Sequence, residues 1–140
     1  MNPVALFVPV LVLMLWTLLV LCRVAFCRFR AAFAGRVRPR DFKVGESSAV
    51  PPDVAIPNRV FMNLLEVPVL FYVLAMIAFI TGHVDNVTWS LAWAFVVLRV
   101  VHSLIYLTYN HVMHRFAVFA ASNAVVIAMI VYLGLQLSSR

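Results

Sequence analysis

Long apolar runs separated by short polar segments set the pattern of this chain. Four runs approach the roughly 20 apolar residues that a helix needs to cross the hydrocarbon core of a bilayer. The second and third runs carry Glu66 and Arg99 within them, and the four cover about residues 3–27, 58–81, 87–110 and 116–137. The pattern predicts an all-α integral membrane protein, a four-helix transmembrane bundle in a single domain, residues 1–140.

The longest polar segment, about residues 31–57, has the composition of a loop. It is rich in Gly, Ser and Pro and ends in VPPDVAIP, and such residues favour turns. Asn58 follows Pro57 and is a residue type that often caps a helix, so we expect the second helix to begin there. Pro68 removes one helical hydrogen bond and predicts a bend in that helix.

The composition agrees with a chain embedded in lipid, because 65% of its residues are hydrophobic and 11% are charged. A formal net charge of +6 would suggest nucleic acid binding if the charges lay on a soluble domain. Here the basic residues cluster beside a membrane span and not on a soluble domain. We therefore expect contact with membrane lipids or a small anion, and no nucleic acid partner.

The basic residues also predict an orientation. Short loops rich in Lys and Arg remain in the cytoplasm. Eight of the eleven Lys and Arg residues lie from the end of the first helix to the start of the second: Arg23, Arg28, Arg30, Arg36, Arg38, Arg40, Lys43 and Arg59. We expect this loop to be cytoplasmic, both termini to be non-cytoplasmic, and the membrane to be a bacterial inner membrane.

One polar stripe runs along the second helix, where Arg59, Asn63 and Glu66 are spaced by four and three residues. Residues at these spacings lie on one side of a helix. At about 1.5 Å rise per residue, Glu66 lies about 10 Å deeper than Arg59. The stripe therefore runs from the cytoplasmic surface into the membrane.

The third helix carries a matching stripe of Arg99, His102, Tyr106 and Asn110. It runs in the opposite direction, so Arg99 and His102 reach a depth close to that of Glu66. A charge near the bilayer centre costs at least about 2.5–3.5 kcal/mol, which predicts that these groups face one another or a watered cavity. The alternative is that the charged pair only holds the helices together.

Other reactive side chains offer weaker signals. Cys22 and Cys27 lie at the cytoplasmic end of the first helix, where a disulfide is not expected. His111 and His114 are three residues apart, but no Cys or carboxylate joins them in NHVMHR. We therefore expect no metal site.

Taken together, the motifs of the second and third helices resemble those of the MAPEG family, the membrane-associated proteins in eicosanoid and glutathione metabolism. The resemblance rests on the pattern R-x3-N-x2-E with a proline nearby, on H-x3-Y in the third helix and on an arginine nine residues after that tyrosine. It also includes the four helices and the basic first loop. It spans nearly the whole chain in helix number and order.

The resemblance implies a homotrimer of four-helix subunits that binds glutathione, as co-substrate, between neighbouring subunits on the cytoplasmic side. It assigns glutathione contacts to Arg59, Asn63, Glu66, His102 and Tyr106, and we add Arg99 from its place on the same stripe. Arg115 matches the arginine that activates the thiol in the family. Arg28 or Arg30 matches a further family arginine.

The expected function is that of a membrane-bound glutathione transferase or peroxidase acting on lipophilic electrophiles. Two alternatives remain open. One is a noncatalytic protein with the same fold that binds lipid or a partner, and the other is a proton or ion pathway through Glu66, Arg99 and His102. The fourth helix shows no polar stripe that would continue such a pathway.

Overall fold

The computed structural model describes residues 2–139 and confirms an all-helical fold. Its α-helices are α1 (Phe7–Phe33), α2 (Pro52–Leu65), α3 (Val67–Ile80), α4 (Asn86–Leu107) and α5 (Val112–Ser138), with a short 3-10 turn, Pro3–Leu6, before α1. Because α2 and α3 follow one another with one residue between them, the described residues provide four segments long and apolar enough to cross a membrane.

Helix α1 continues six residues beyond the predicted end at residue 27. Ala31 in these extra turns is fully buried, and it packs in a small apolar cluster with residues of the loop and of α2. Gly35 then ends the helix in a left-handed conformation, φ +68°. The Arg36 N–H bonds back to the Ala31 carbonyl at 2.9 Å, as in the glycine-terminated C-cap common in helices.

Helix α2 begins at Pro52, six residues before the predicted start at Asn58. Pro52 occupies the first helical position, where a missing N–H costs little. Val54 and Ala55 are buried against the end of α1, and this packing outweighs the lost donor of Pro57 inside the helix. The loop between α1 and α2 is therefore shorter than the sequence predicted.

The second span is broken at Glu66, where the backbone leaves the helical region with φ −85° and ψ −94°. Pro68 is the second residue of α3. Its ring cannot accommodate the carbonyl of Leu64, and it offers no N–H to that carbonyl. The bend predicted from Pro68 is thus present as a complete break two residues earlier.

The helices pack mainly in two pairs, α1 with α2 and α4 with α5. Phe71 of α3 and Phe95 of α4 are fully buried and in contact, with ring centroids 4.8 Å apart. Large apolar side chains such as Leu11 and Ile80 are exposed on the outside, which suits a surface that faces lipid. The buried polar side chains lie mostly on α4.

Two ion pairs tie the loop between α1 and α2 to the bundle. The Arg28 Nη2 donates to Glu46 Oε1 at 3.2 Å, and both Nη atoms of Arg36 donate to the Asp53 carboxylate at 3.0 and 3.2 Å. We call the end of the bundle that carries this loop and the α4–α5 turn the basic end. The end that carries the α3–α4 turn is the opposite end.

Asp85 organises the opposite end. It caps α4 by accepting hydrogen bonds from the Thr88 N–H at 2.8 Å and the Thr88 hydroxyl at 2.9 Å. From α5, the Tyr132 hydroxyl and the Gln136 amide donate to its other carboxylate oxygen. One carboxylate thereby joins the start of α4 to the end of α5.

Candidate functional site

The α4–α5 turn positions Arg115 at the basic end. Asn110 takes the left-handed conformation in this turn, φ +47°, which asparagine tolerates better than most residues. Its side-chain oxygen accepts a hydrogen bond from Arg115 Nη1 at 2.7 Å. The Arg115 guanidinium also lies over the Tyr106 ring, 4.0 Å from its centroid, so two neighbours fix its plane.

Arg115 belongs to the first turn of α5, because that helix begins at Val112. The loop between α4 and α5 is therefore shorter than predicted, because α5 starts four residues before the predicted boundary at residue 116. A cation in the first turn of a helix opposes the helix dipole. An anion bound at this helix end would be stabilised by both the dipole and the guanidinium.

Two adjoining cavities meet at Arg115. The deeper, of about 240 Å³, is lined by Asn63, His102, Tyr106, Val112, Arg115, Phe116 and Phe119. We call the other the outer cavity. Its volume is about 370 Å³, and it is lined by Val50, Pro52, Ala55, Ile56, Arg59, Tyr106, Asn110, Val112 and Arg115. They share Tyr106, Val112 and Arg115, and their combined size falls within the roughly 300–1,000 Å³ of small-molecule sites.

The polar stripe of α2 does not lie wholly in these cavities. Asn63 is half-buried and lines the deeper cavity, and Arg59 is exposed at the edge of the outer cavity. Glu66 is exposed on the outer surface of the subunit and lines neither cavity. Within residues 2–139, none of the three side chains forms a hydrogen bond or an ion pair.

Arg99 is fully buried beneath the deeper cavity. Its Nη2 donates to Asn123 Oδ1 at 2.9 Å, and its guanidinium lies between the Phe95 and Phe119 rings, 5.3 and 5.0 Å from their centroids. Nε and Nη1 have no hydrogen-bond partner in the described part of the chain. Within residues 2–139, the expected pairing of Glu66 with Arg99 or His102 is not formed.

His102 lies one helical turn from Arg99 on α4. It is 3% exposed and lines the deeper cavity, with its ring 6.2 Å from Tyr106 and 5.6 Å from Phe119. The structure thus brings His102, Tyr106, Asn63 and Arg115 together around one space. Arg28 and Arg30 line neither cavity, and Arg28 is paired with the loop residue Glu46.

Sequence reasoning missed the contribution of the fourth span. Asn123 holds Arg99 from α5, and Phe119 separates Arg99 from the deeper cavity. The adjacent polar residues Ser122 and Asn123 inside a charge-free apolar run were the signal that could have found this contact. Residues 2–139 hold no group of three or more His, Cys, Asp or Glu side chains able to bind a metal ion.

A family model described as the MAPEG family matches residues 6–135 of the 140. The chain belongs to the MAPEG family. MAPEG membership supports a general role in glutathione-related or eicosanoid metabolism for this multi-pass membrane protein. Neither the curated proteins nor the solved structures include a significant match to this chain. The MAPEG match covers α2, α4 and the start of α5, and so all the elements that form the two cavities.

Proposed function

We propose that this MAPEG protein is a glutathione-dependent transferase or peroxidase that acts on lipophilic electrophiles, with Arg115 as the catalytic residue. The observation that carries the proposal is the position of Arg115. Its guanidinium is fixed by Asn110 and Tyr106 where the two cavities meet. It also lies where a thiol from the aqueous phase can meet a substrate dissolved in the bilayer.

The chemistry needs a thiolate, because the neutral thiol is a poor nucleophile. A nearby guanidinium lowers the pKa of a thiol by favouring its ionised form, and the N-terminus of α5 acts in the same direction. In transfer, the thiolate sulfur forms a bond to carbon while the leaving group departs with its electron pair. In peroxidase action, two glutathione molecules reduce a hydroperoxide to an alcohol and water and become a disulfide.

Charge complementarity supports glutathione as the thiol. Glutathione carries two carboxylates and one ammonium group, which arginines and one acid can bind. Arg59 lies at the edge of the outer cavity. Arg99 lies behind Phe119, and two of its nitrogens, Nε and Nη1, have no partner within residues 2–139. Glu66 supplies the acid for the ammonium group, and Asn63, His102 and Tyr106 complete the contacts.

The exposure of Glu66 supports assembly into a homotrimer. An exposed carboxylate on a membrane-spanning helix would cost at least about 2.5–3.5 kcal/mol if it faced lipid near the bilayer centre. A neighbouring subunit that covers this face of α2 and α3 removes the cost and places Glu66 at a shared site. Of the two candidates, Arg30 of that neighbour completes the set of cations, because Arg30 is exposed whereas Arg28 is paired with Glu46 and lines a different cavity.

The basic loop supports an orientation with the site facing the cytoplasm, in a bacterial inner membrane. The loop and the α4–α5 turn lie at the same end of the bundle, so both are cytoplasmic in this orientation. Reporter fusions at Gly45 and at the C-terminus test it. We expect a cytoplasmic signal at Gly45 and a non-cytoplasmic signal at the C-terminus, and the reverse result would remove the cytoplasmic site.

A thiolate absorbance titration with glutathione tests the function without a choice of second substrate. The parent protein should show saturable thiolate absorbance and should conjugate a halonitrobenzene. Arg115→Ala should lose the thiolate signal and about 100-fold or more in turnover, the scale seen when one preorganised charge-stabilising donor is removed. Arg115→Lys should recover part of the rate, because it keeps the charge but not the planar fork.

Glutathione binding, measured by calorimetry, is the matched control. Arg115→Ala should still bind glutathione through Arg59, Asn63 and Glu66, so that binding and turnover separate. Full turnover in Arg115→Ala would assign thiol activation to another group. A parent protein with neither a thiolate signal nor turnover would favour the noncatalytic alternative, in which the fold binds lipid or a partner.

A further inference from the structure

A separate cavity lies between the end of α1 and the loop that folds back over it. We call it the loop cavity. Its volume is about 460 Å³, larger than either cavity at Arg115, and it shares no lining residue with them. One wall is made of α1 residues, among them Ala25 and Phe29, and the other is made of Val37, Pro39 and Phe42 of the loop.

The walls of the loop cavity are apolar except for two arginines, Arg28 and Arg38. The Arg28 guanidinium lies over the Phe42 ring, 4.8 Å from its centroid, and gives one Nη2 hydrogen bond to Glu46. Its Nε is buried and has no partner within residues 2–139. Arg38 is exposed, and its side chain forms no ion pair in the described residues. Two cationic donors therefore adjoin an apolar space.

The location of the cavity matches the boundary between lipid and water. It lies where the apolar run of α1 gives way to basic residues. Phe29 and Phe33, 65% and 89% exposed, add apolar surface at the same helix end as the basic residues. An occupant of this space would have its apolar part level with the acyl chains and its polar part level with the headgroups.

We propose that the loop cavity binds an anionic phospholipid of the surrounding bilayer. One acyl chain enters between Ala25 and Phe42, and the headgroup phosphate accepts hydrogen bonds from Arg28 Nε and the Arg38 guanidinium. The charge complementarity selects an anionic headgroup over a zwitterionic one. The site lies outside the glutathione cavities and goes beyond the function proposed above.

Native mass spectrometry of the delipidated oligomer, titrated with phosphatidylglycerol and with phosphatidylcholine of the same chains, tests the proposal. We expect one preferred phosphatidylglycerol per chain. Arg38→Gln should lower this affinity about fivefold, the contribution of one basic residue close to an anionic headgroup. Ala25→Phe should lower it at least about tenfold by displacing roughly two methylene groups from the cavity.

Matched variants separate the cavity from general charge effects. Arg40→Gln removes a charge from the same loop and Ala34→Phe adds a ring at the same helix end, but neither residue lines the cavity. Both should bind phosphatidylglycerol like the parent. Equal losses for Arg38→Gln and Arg40→Gln would overturn the proposal in favour of nonspecific surface attraction. Tighter binding of a free fatty acid than of phosphatidylglycerol, or insensitivity to Ala25→Phe, would also overturn it.

Discussion

The two ends of the bundle treat their polar side chains in opposite ways. At the opposite end, Asp85 accepts hydrogen bonds from Thr88, Tyr132 and Gln136. In the half of the bundle nearer the basic end, Arg99 makes one hydrogen bond and leaves Nε and Nη1 without a partner in the described chain. Polar groups buried away from water normally find partners, because an unmade hydrogen bond costs about 1–3 kcal/mol.

This contrast distinguishes a structural cluster from a binding site. In the Asp85 cluster, both carboxylate oxygens accept hydrogen bonds from the same chain. The cluster joins the start of α4 to the end of α5. Near the two cavities at Arg115, several hydrogen-bond donors and charged groups have no partner within residues 2–139. The unpartnered nitrogens of Arg99 support the glutathione site and the subunit contact that we propose near the basic end.

We expect the largest effect from Glu66→Gln, which keeps the shape of the side chain and removes its charge. If Glu66 holds the ammonium group of glutathione, the loss of a charged hydrogen bond should weaken glutathione binding by about 1.5–3 kcal/mol, measured by calorimetry. Glu46→Gln at the same end is the control, because Glu46 pairs with Arg28 outside the two cavities. Equal affinities for both variants would remove Glu66 from the site.

Asp85→Ala should act on stability and leave the site intact. The variant loses the α4 cap, worth about 0.5–2 kcal/mol, and leaves Tyr132 and Gln136 without their shared acceptor. We expect a lower midpoint of thermal unfolding in detergent and unchanged glutathione affinity per folded molecule. A change in affinity without a change in stability would contradict the division between the two ends.

The pH dependence of unfolding provides a control for Asp85. Burial alone would raise the pKa of Asp85, but hydrogen bonds from Thr88 and Tyr132 outweigh it and hold the pKa below its usual range. A lowered folded pKa contributes stability above the unfolded pKa of about 3.9, and this contribution is lost as pH falls through the folded pKa. Asp85→Asn should remove this acid-sensitive part below about pH 4.

The smallest effect is expected from Asn110→Gly, which tests whether Asn110 positions Arg115. Glycine keeps the left-handed turn, since it adopts positive φ without strain, and it removes the acceptor of the Arg115 hydrogen bond. We expect a loss of about fivefold to tenfold in turnover, corresponding to about 1 kcal/mol, with glutathione affinity and thermal unfolding close to those of the parent. Unchanged turnover would show that Tyr106 alone fixes the guanidinium.

Much of the fold could be predicted from the sequence, because lipid requires long apolar helices and four such runs are present. Helix ends were less predictable. Pro57 and Asn58 suggested a helix start, but the burial of Val54 and Ala55 against α1 depends on a tertiary contact that no local pattern contains. The same packing extends α1 past residue 27.

The candidate site was predictable in its residue types and only partly in its arrangement. Periodicity placed His102 and Tyr106 on one face of the third span, and the structure brings both to the deeper cavity. Periodicity could not show that Glu66 is exposed and forms no ion pair with Arg99, because the helix from which the pattern was inferred is interrupted at that residue. Asn123 was missed because a single amide in an apolar run has no partner until the fold supplies Arg99.

The break at Glu66 divides the second span into two helices, α2 and α3. Helix α2 packs mainly against α1 and also against α4, whereas α3 packs mainly against α5. One residue connects the two helices, so different neighbours position the two halves of this span. Arg59 and Asn63 lie on α2 and Arg115 on α5, so the packing of α2 against α1 and the Arg36–Asp53 ion pair, which holds the loop to α2, help to position one side of the two cavities.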